Sequence, residues 1–104
     1  MSSVPIEVSP RDAQSAAGDG ALLLDVREQW EWDEEHVPGA LHIPMQEVPA
    51  RLAEIPEDRD VYVFCKVGAR SIRVVDYLRR HGRDRAVNVS GGIDAWVEAG
   101  LPVE

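Results

Sequence analysis

Ala21-Leu22-Leu23-Leu24-Asp25-Val26-Arg27 is an apolar run closed by charge, with no polar residue among its first four. A strand of that kind has no side to turn towards water. It belongs in a sheet covered on both faces, the usual setting of parallel strands. Val61-Tyr62-Val63-Phe64 has the same character. Three shorter segments read as further strands: Pro5-Ile6-Glu7-Val8, at an edge because of Pro5, then Leu41-His42-Ile43-Pro44 and Ala86-Val87-Asn88-Val89. Helical signals fall between them. Ser9 is a predicted N-cap with Pro10 at the first helical position, and Ala13, Ala16 and Ala17 form a small apolar face that ends at Gly18 and Gly20. Pro49 to Ile55 is predicted as a short helix starting at a proline. Ile72, Val75 and Leu78, with Val74 alongside, have helical spacing and stop at Gly82. Ile93, Trp96 and Val97 mark a last helix ended by Gly100. Strands and helices thus alternate along the chain. The expected fold is α/β, a mainly parallel five-stranded sheet with helices on both faces and right-handed crossovers, in one domain over residues 1–104.

In such sheets ligands bind beyond the carboxyl ends of the strands. Arg27, Cys65 and Ser90-Gly91-Gly92 all stand at those ends. The loop Cys65-Lys66-Val67-Gly68-Ala69-Arg70-Ser71 joins a buried strand to a helix, and it holds the chain's one cysteine. A loop there can curl its N–H groups inward, and the helix start adds partial positive charge. Such surroundings favour a thiolate, the nucleophilic form of cysteine. Gly68 permits a tight turn, and Lys66, Arg70 and Arg73 add cations on or near the loop. The competing reading is a structural cysteine at a strand end, since cysteine is often buried. Asp25 and Arg27 lie on one side of their strand by alternation, which favours a role in holding loops over one in catalysis. His36 and His42 sit beside apolar residues and read as structural. Trp32 is expected to pack. Trp30 and the acidic run Asp33-Glu34-Glu35 read as a solvated helix face.

The single cysteine excludes an internal disulfide and a Cys-rich metal site, and it leaves no second thiol to resolve a bond made at the first. No metal or cofactor is expected. Met1-Ser2-Ser3-Val4-Pro5 has neither the basic nor the apolar stretch of a targeting leader, and nothing approaches the length of a membrane span. The expected location is the cytoplasm, with no membrane partner. A net charge of −8 argues against nucleic acid as a partner. The charge is unevenly spread. Lys66 to Arg85 carries seven of the eleven basic residues, whereas Asp25 to Asp60 carries eleven acids and three basic residues. A basic site on an acidic body suits a small anionic substrate. Arg79, Arg80, Arg83 and Arg85 read as ordinary surface charge.

Four segments together resemble the single-domain rhodaneses. Leu24-Asp25-Val26-Arg27-Glu28, with Glu31 and Trp32 after it, resembles the family's Asp-Val-Arg-Glu signature. His36-Val37-Pro38-Gly39-Ala40-Leu41-His42-Ile43-Pro44 resembles its His-Ile-Pro-Gly-Ala stretch. Cys65 to Ser71 resembles its active loop, and Val89-Ser90-Gly91-Gly92-Ile93-Asp94-Ala95-Trp96 its closing Gly-Gly helix. The resemblance implies a sulfurtransferase. Cys65 would take sulfane sulfur from a donor such as thiosulfate, become a persulfide, and pass the sulfur to cyanide, a thiol or a protein. Lys66, Val67, Gly68, Ala69, Arg70 and Ser71 would form the substrate-binding loop, with Asp25 and Arg27 in support. Arg70 would hold the loop or the donor's oxygens through its planar fork, and Lys66 would supply a point charge. Two alternatives accompany this reading. One is a persulfide carrier serving a protein partner in cofactor or tRNA thiolation, with Trp30 and Asp33-Glu34-Glu35 on the partner surface. The other is a cysteine-dependent phosphatase or arsenate reductase. The related phosphatases carry five residues between cysteine and arginine, whereas Cys65 and Arg70 enclose four, a tighter loop that fits sulfur better than a phosphoryl group. Members that act only as interaction modules generally lack the cysteine, which is present here.

Overall fold

The structure is a computed structural model that describes residues 5–104. Most of the Met1–Pro5 segment read above for a leader lies outside the described residues. Five strands form one sheet: β1 (Glu7–Val8), β2 (Leu22–Asp25), β3 (Leu41–His42), β4 (Val61–Phe64) and β5 (Ala86–Val89). Their spatial order is β1-β5-β4-β2-β3, and every pairing is parallel. Four α-helices connect or follow them: α1 (Pro10–Gly18), α2 (Gln29–Glu34), α3 (Ala69–Arg80) and α4 (Gly92–Glu98). β4 lies at the centre, between β2 and β5, and all four of its residues are buried.

The alternation of side chains along each strand divides the core in two. Leu24, Val61 and Val63 face one way and pack with Val74, Val75 and Leu78 of α3. Leu23, Tyr62, Phe64 and Val87 face the other way, against Ala13 of α1 and Ile93 and Trp96 of α4. The unbroken apolar runs are therefore explained by cover on both faces. Ser9 caps α1 as expected, accepting the Asp12 N–H at 3.2 Å.

Several local expectations are corrected. Pro49 to Ile55 is not an α-helix. Short 3-10 helices at Met45–Glu47 and Leu52–Glu54 take its place. Val48 and Ile55 are the buried anchors of this segment, and the Arg83 guanidinium takes the Leu52 and Ile55 carbonyls at 2.8 and 3.0 Å. Those carbonyls are satisfied without a regular helix. Arg83 is thus a staple between distant segments and not loose surface charge. Arg79 likewise donates to the Ala86 and Pro5 carbonyls, and Arg85 pairs with Asp60. Arg80, paired with Asp76 one turn away on an exposed face, fits the sequence reading. The inner face of α3 is Ser71, Val74, Val75 and Leu78, with Ile72 turned outward. Val97 is also exposed, so Ile93 and Trp96 alone anchor α4. The ordered strands are shorter than the apolar runs that announced β2 and β3, although the ladder continues through Val26 and Ile43 N–H groups to the Phe64 and Asp25 carbonyls.

Candidate active site

β4 delivers Cys65 to the carboxyl end of the sheet, where α3 begins four residues later. Gly68 precedes α3 with φ +107°, in the left-handed region that glycine enters without penalty. That turn brings the Gly68 N–H to 3.1 Å from the Cys65 sulfur and the Ser71 N–H to 3.4 Å. The Cys65 thiol in turn donates to Ser71 Oγ at 3.4 Å. Cys65 is only 1% exposed, at the floor of the loop. Burial on its own pushes the thiol up. The N–H groups of Ser71, Gly68 and Arg70 pull it down, and hydrogen bonding prevails, so Cys65 ionises more readily than an ordinary cysteine.

The loop is pinned from outside. The N–H groups at the start of α4 are free of intrahelical partners. The Ile93 N–H donates to the Cys65 carbonyl at 2.8 Å and the Asp94 N–H to the Lys66 carbonyl at 3.1 Å. Gly92 packs so closely that a Cβ there would overlap both carbonyl oxygens. The Gly91-Gly92 turn is therefore a bearing surface for the Cys65 loop.

Lys66 and Arg70 of the loop are each paired with a carboxylate, whereas Arg73 is exposed on α3. Lys66 Nζ lies 2.9 Å from both Asp94 oxygens, with both partners exposed. The Arg70 guanidinium forms a fork on Glu31 of α2, at 2.7 and 3.0 Å. Glu31 also accepts the Glu28 N–H at 2.9 Å, closing the start of α2. The Arg70 hydrogen bonds hold the Glu31 carboxyl below the usual carboxylate range, and Glu31 raises Arg70 in return. Glu31 is buried, whereas Asp33 and Glu34 beyond it are exposed. Arg27 and Asp25 form a buried pair, with the Arg27 Nε at 3.1 and 3.0 Å from the two Asp25 oxygens. Arg27 also donates to the Glu31 and Glu35 carbonyls, which holds α2 against the sheet. Its place is therefore a loop-holding one. Val67, on the loop, is 59% exposed, and Ala69 is exposed at the start of α3.

His36 and His42 stack on the two sides of Trp32, with ring centroids 3.9 and 4.7 Å away, and donate to the Trp32 and Arg27 carbonyls. They buttress α2 as expected of structural histidines. Beside the Cys65 loop a cleft of about 260 Å³ is lined by Trp30, Glu31, Glu34, Glu35, Lys66 and Asp94, among others. Trp30 is 63% exposed there. Among the described residues no cluster of three or more His, Cys, Asp or Glu could hold a metal ion. Sequence reasoning did not single out Asp94, Asn88 or Glu7, or give Glu31 a place at the site. The Glu28/Glu31 spacing of a capping box and the lone polar Asn88 inside an apolar strand were the available signals.

Comparison with known proteins agrees with this architecture. Residues 9–99 match the Rhodanese-like domain family. A sulfurtransferase of Allochromatium vinosum is 45% identical over 82 residues, covering 79% of this chain and 77% of that protein. The thiosulfate sulfurtransferase GlpE of Actinobacillus pleuropneumoniae is 32% identical over 105 residues, covering 100% and 97%. The crystal structure of a rhodanese-related protein from Thermoplasma volcanium superposes with a TM-score of 0.87 at 30% identity, covering 94% of this chain and 96% of that one. The chain belongs to the rhodanese-like domain family, whose sulfurtransferases are its relatives.

Proposed function

We propose that this protein transfers sulfane sulfur from thiosulfate to a thiophilic acceptor through a persulfide on Cys65, acting as one catalytic domain. The Cys65 thiolate attacks the outer sulfur of thiosulfate. The sulfur–sulfur bond of the donor breaks, and sulfite leaves with the bonding electron pair. Cys65 now carries the extra sulfur as a persulfide. Cyanide or a thiolate then attacks the terminal sulfur, thiocyanate or a new persulfide departs, and the Cys65 thiolate is restored. The observation that carries this reading is the pair of backbone N–H groups, from Gly68 and Ser71, aimed at one buried sulfur. Donors aimed inward stabilise negative charge on sulfur before and after the transfer. Val67, Gly68 and Ala69 shape the cradle, Arg70 holds it to α2, and Lys66 stands at the mouth. Asp25 and Arg27 support it from below. No cofactor takes part. A lone thiol of this kind suits the reducing cytoplasm.

Turnover of thiosulfate and cyanide, with intact mass recorded after thiosulfate alone, tests the reading. Wild type should gain one sulfur and turn over, and Cys65→Ser should do neither. A wild-type protein that never gains sulfur overturns the proposal and directs attention to phosphate esters and to arsenate.

A second reading has its own support. Lys66 and Arg70 are already neutralised by Asp94 and Glu31, and the adjoining cleft is acidic with Trp30 exposed. That arrangement favours a protein as the acceptor, with turnover to cyanide slow. Rapid persulfide formation with slow release to cyanide distinguishes it.

A further inference from the structure

A hydrogen-bonded chain leaves the Cys65 sulfur on the side away from the cleft. Ser71 Oγ accepts from the thiol at 3.4 Å and donates to Asn88 Oδ1 at 2.6 Å. Asn88 Nδ2 donates to Glu7 Oε2 at 2.9 Å. Glu7 and Asn88 stand opposite each other where β1 pairs with β5. Asn88 is 2% exposed and Ser71 is fully buried, whereas Glu7 lies on the exposed outer strand. Asn88 also borders the loop itself: a Cβ on Gly68 would lie 3.8 Å from its Nδ2.

The direction of this chain is fixed at its outer end. An ionised carboxylate only accepts hydrogen bonds, so Glu7 requires the Nδ2 side of Asn88. Oδ1 is thereby turned to Ser71, which must donate its single proton to it. At 2.6 Å that bond is at the short limit for oxygen partners, while the sulfur is 3.4 Å away. Only a lone pair of Ser71 is left to face Cys65. That polarity suits a protonated thiol, because a thiolate needs the Ser71 proton for itself. Reversing Asn88 would free the proton but would place Oδ1 against the Glu7 carboxylate.

We propose that Asn88, anchored by Glu7, is a positioning residue that aims the Ser71 hydroxyl and so sets how readily Cys65 gives up its proton. The role rests on Cys65 being the working nucleophile proposed above, though the ionisation it governs can be read without any sulfur transfer. The other charged groups facing Cys65 are Lys66 and Arg70 on its loop, each paired outward to Asp94 of α4 and Glu31 of α2. The Asp25–Arg27 pair lies on the neighbouring strand, with Asp25 opposite Phe64, the residue before Cys65.

The test is the rate of Cys65 alkylation by iodoacetamide against pH. Glu7→Gln replaces the carboxylate by an amide that can meet either side of Asn88. Asn88→Ala removes the competitor for the Ser71 proton. Both should move the midpoint to lower pH and speed alkylation near neutrality by about threefold, the equivalent of half a pH unit. Asn88→Asp, which offers Ser71 only acceptors and adds charge, should move the midpoint upward. Removing the Glu7 charge could also act on sulfur through space, so Glu7→Gln is repeated in a Ser71→Ala background. The shift should vanish there, as coupling through Ser71 demands. A Glu7→Gln profile that overlays wild type, or a shift that survives in the Ser71→Ala background, overturns the proposal. Thiosulfate-dependent mass gain, measured separately on wild type, reports on the sulfur-transfer reading alone.

Discussion

Cys65 combines burial with an arc of inward donors, and the two oppose each other in setting its acidity. The donors prevail, so turnover and alkylation should rise with pH through a midpoint below the ordinary thiol range and then level off. A midpoint at or above the value of a free cysteine would show that burial wins. Arg27 is a different kind of residue. Its charge is matched by Asp25 and its remaining donors hold the α2 carbonyls. Arg27→Ala leaves Asp25 buried and unpaired, which is expected to lower stability by about 3–5 kcal/mol. Turnover per folded molecule should survive, and thermal melts beside active-site titration separate the two effects. The importance of Cys65 was legible from its position between strand and helix. The Asp25–Arg27 pairing was foreshadowed by strand alternation. The partners of Lys66 and Arg70 were not legible, because Asp94 and Glu31 come from helices far along the chain, and sequence spacing says nothing of which helices meet at a loop.

At the scale of elements, α2 and α4 act as two clamps on the loop that opens α3. The α2 clamp is the Glu31–Arg70 fork. Because Arg70 depresses Glu31 in the folded state, the pair stabilises the protein above the unfolded carboxylate value of about 4.3, and the contribution is lost as pH falls through the folded value. Glu31→Gln should therefore destabilise the protein near neutrality by about 1–3 kcal/mol, the cost of losing charge-assisted hydrogen bonds. The gap between wild type and variant should narrow as pH drops below about 4. Denaturant titrations at several pH values check this, and a gap that stays constant into acid refutes it. The α4 clamp is Gly92 against the Cys65 and Lys66 carbonyls. Gly92→Ala must push those carbonyls away, with an expected loss of about 1–3 kcal/mol and a fall in persulfide formation greater than the fall in stability explains. Chain order explains which elements were legible. Helices with an apolar stripe, α1, α3 and α4, announced themselves. The stretch from Met45 to Ile55 did not, because its backbone bonds close only short 3-10 turns and Arg83, from another part of the chain, holds the Leu52 and Ile55 carbonyls.

Across the whole molecule the acidic excess outweighs the basic segment that follows Cys65. The net charge is −8, and the cations nearest the sulfur are already matched. A dianionic donor therefore approaches against a repulsive field, which salt screens over about 10 Å at 0.1 M. For thiosulfate, kcat/KM should rise with added inert salt, and Lys66→Ala should raise KM while Asp94→Asn lowers it. Stopped-flow persulfide formation across a salt series checks the first point. A steady fall with salt would mean that attraction at the loop mouth governs the encounter. The sheet itself, parallel and covered on both faces, was readable from two apolar runs, because burial on both sides leaves no polar positions to alternate.

The dependence of the Cys65 loop on Gly92 and the first N–H groups of α4 also bears on biosynthesis. A ribosome makes the cysteine well before it makes the segment that holds the loop shut. Until β5 and α4 have emerged, the nascent chain presents a thiol without its outer clamp. Maturation of the nucleophile thus waits for the segment around Gly92, so a chain that stops between Cys65 and Gly92 carries a cysteine that is untuned.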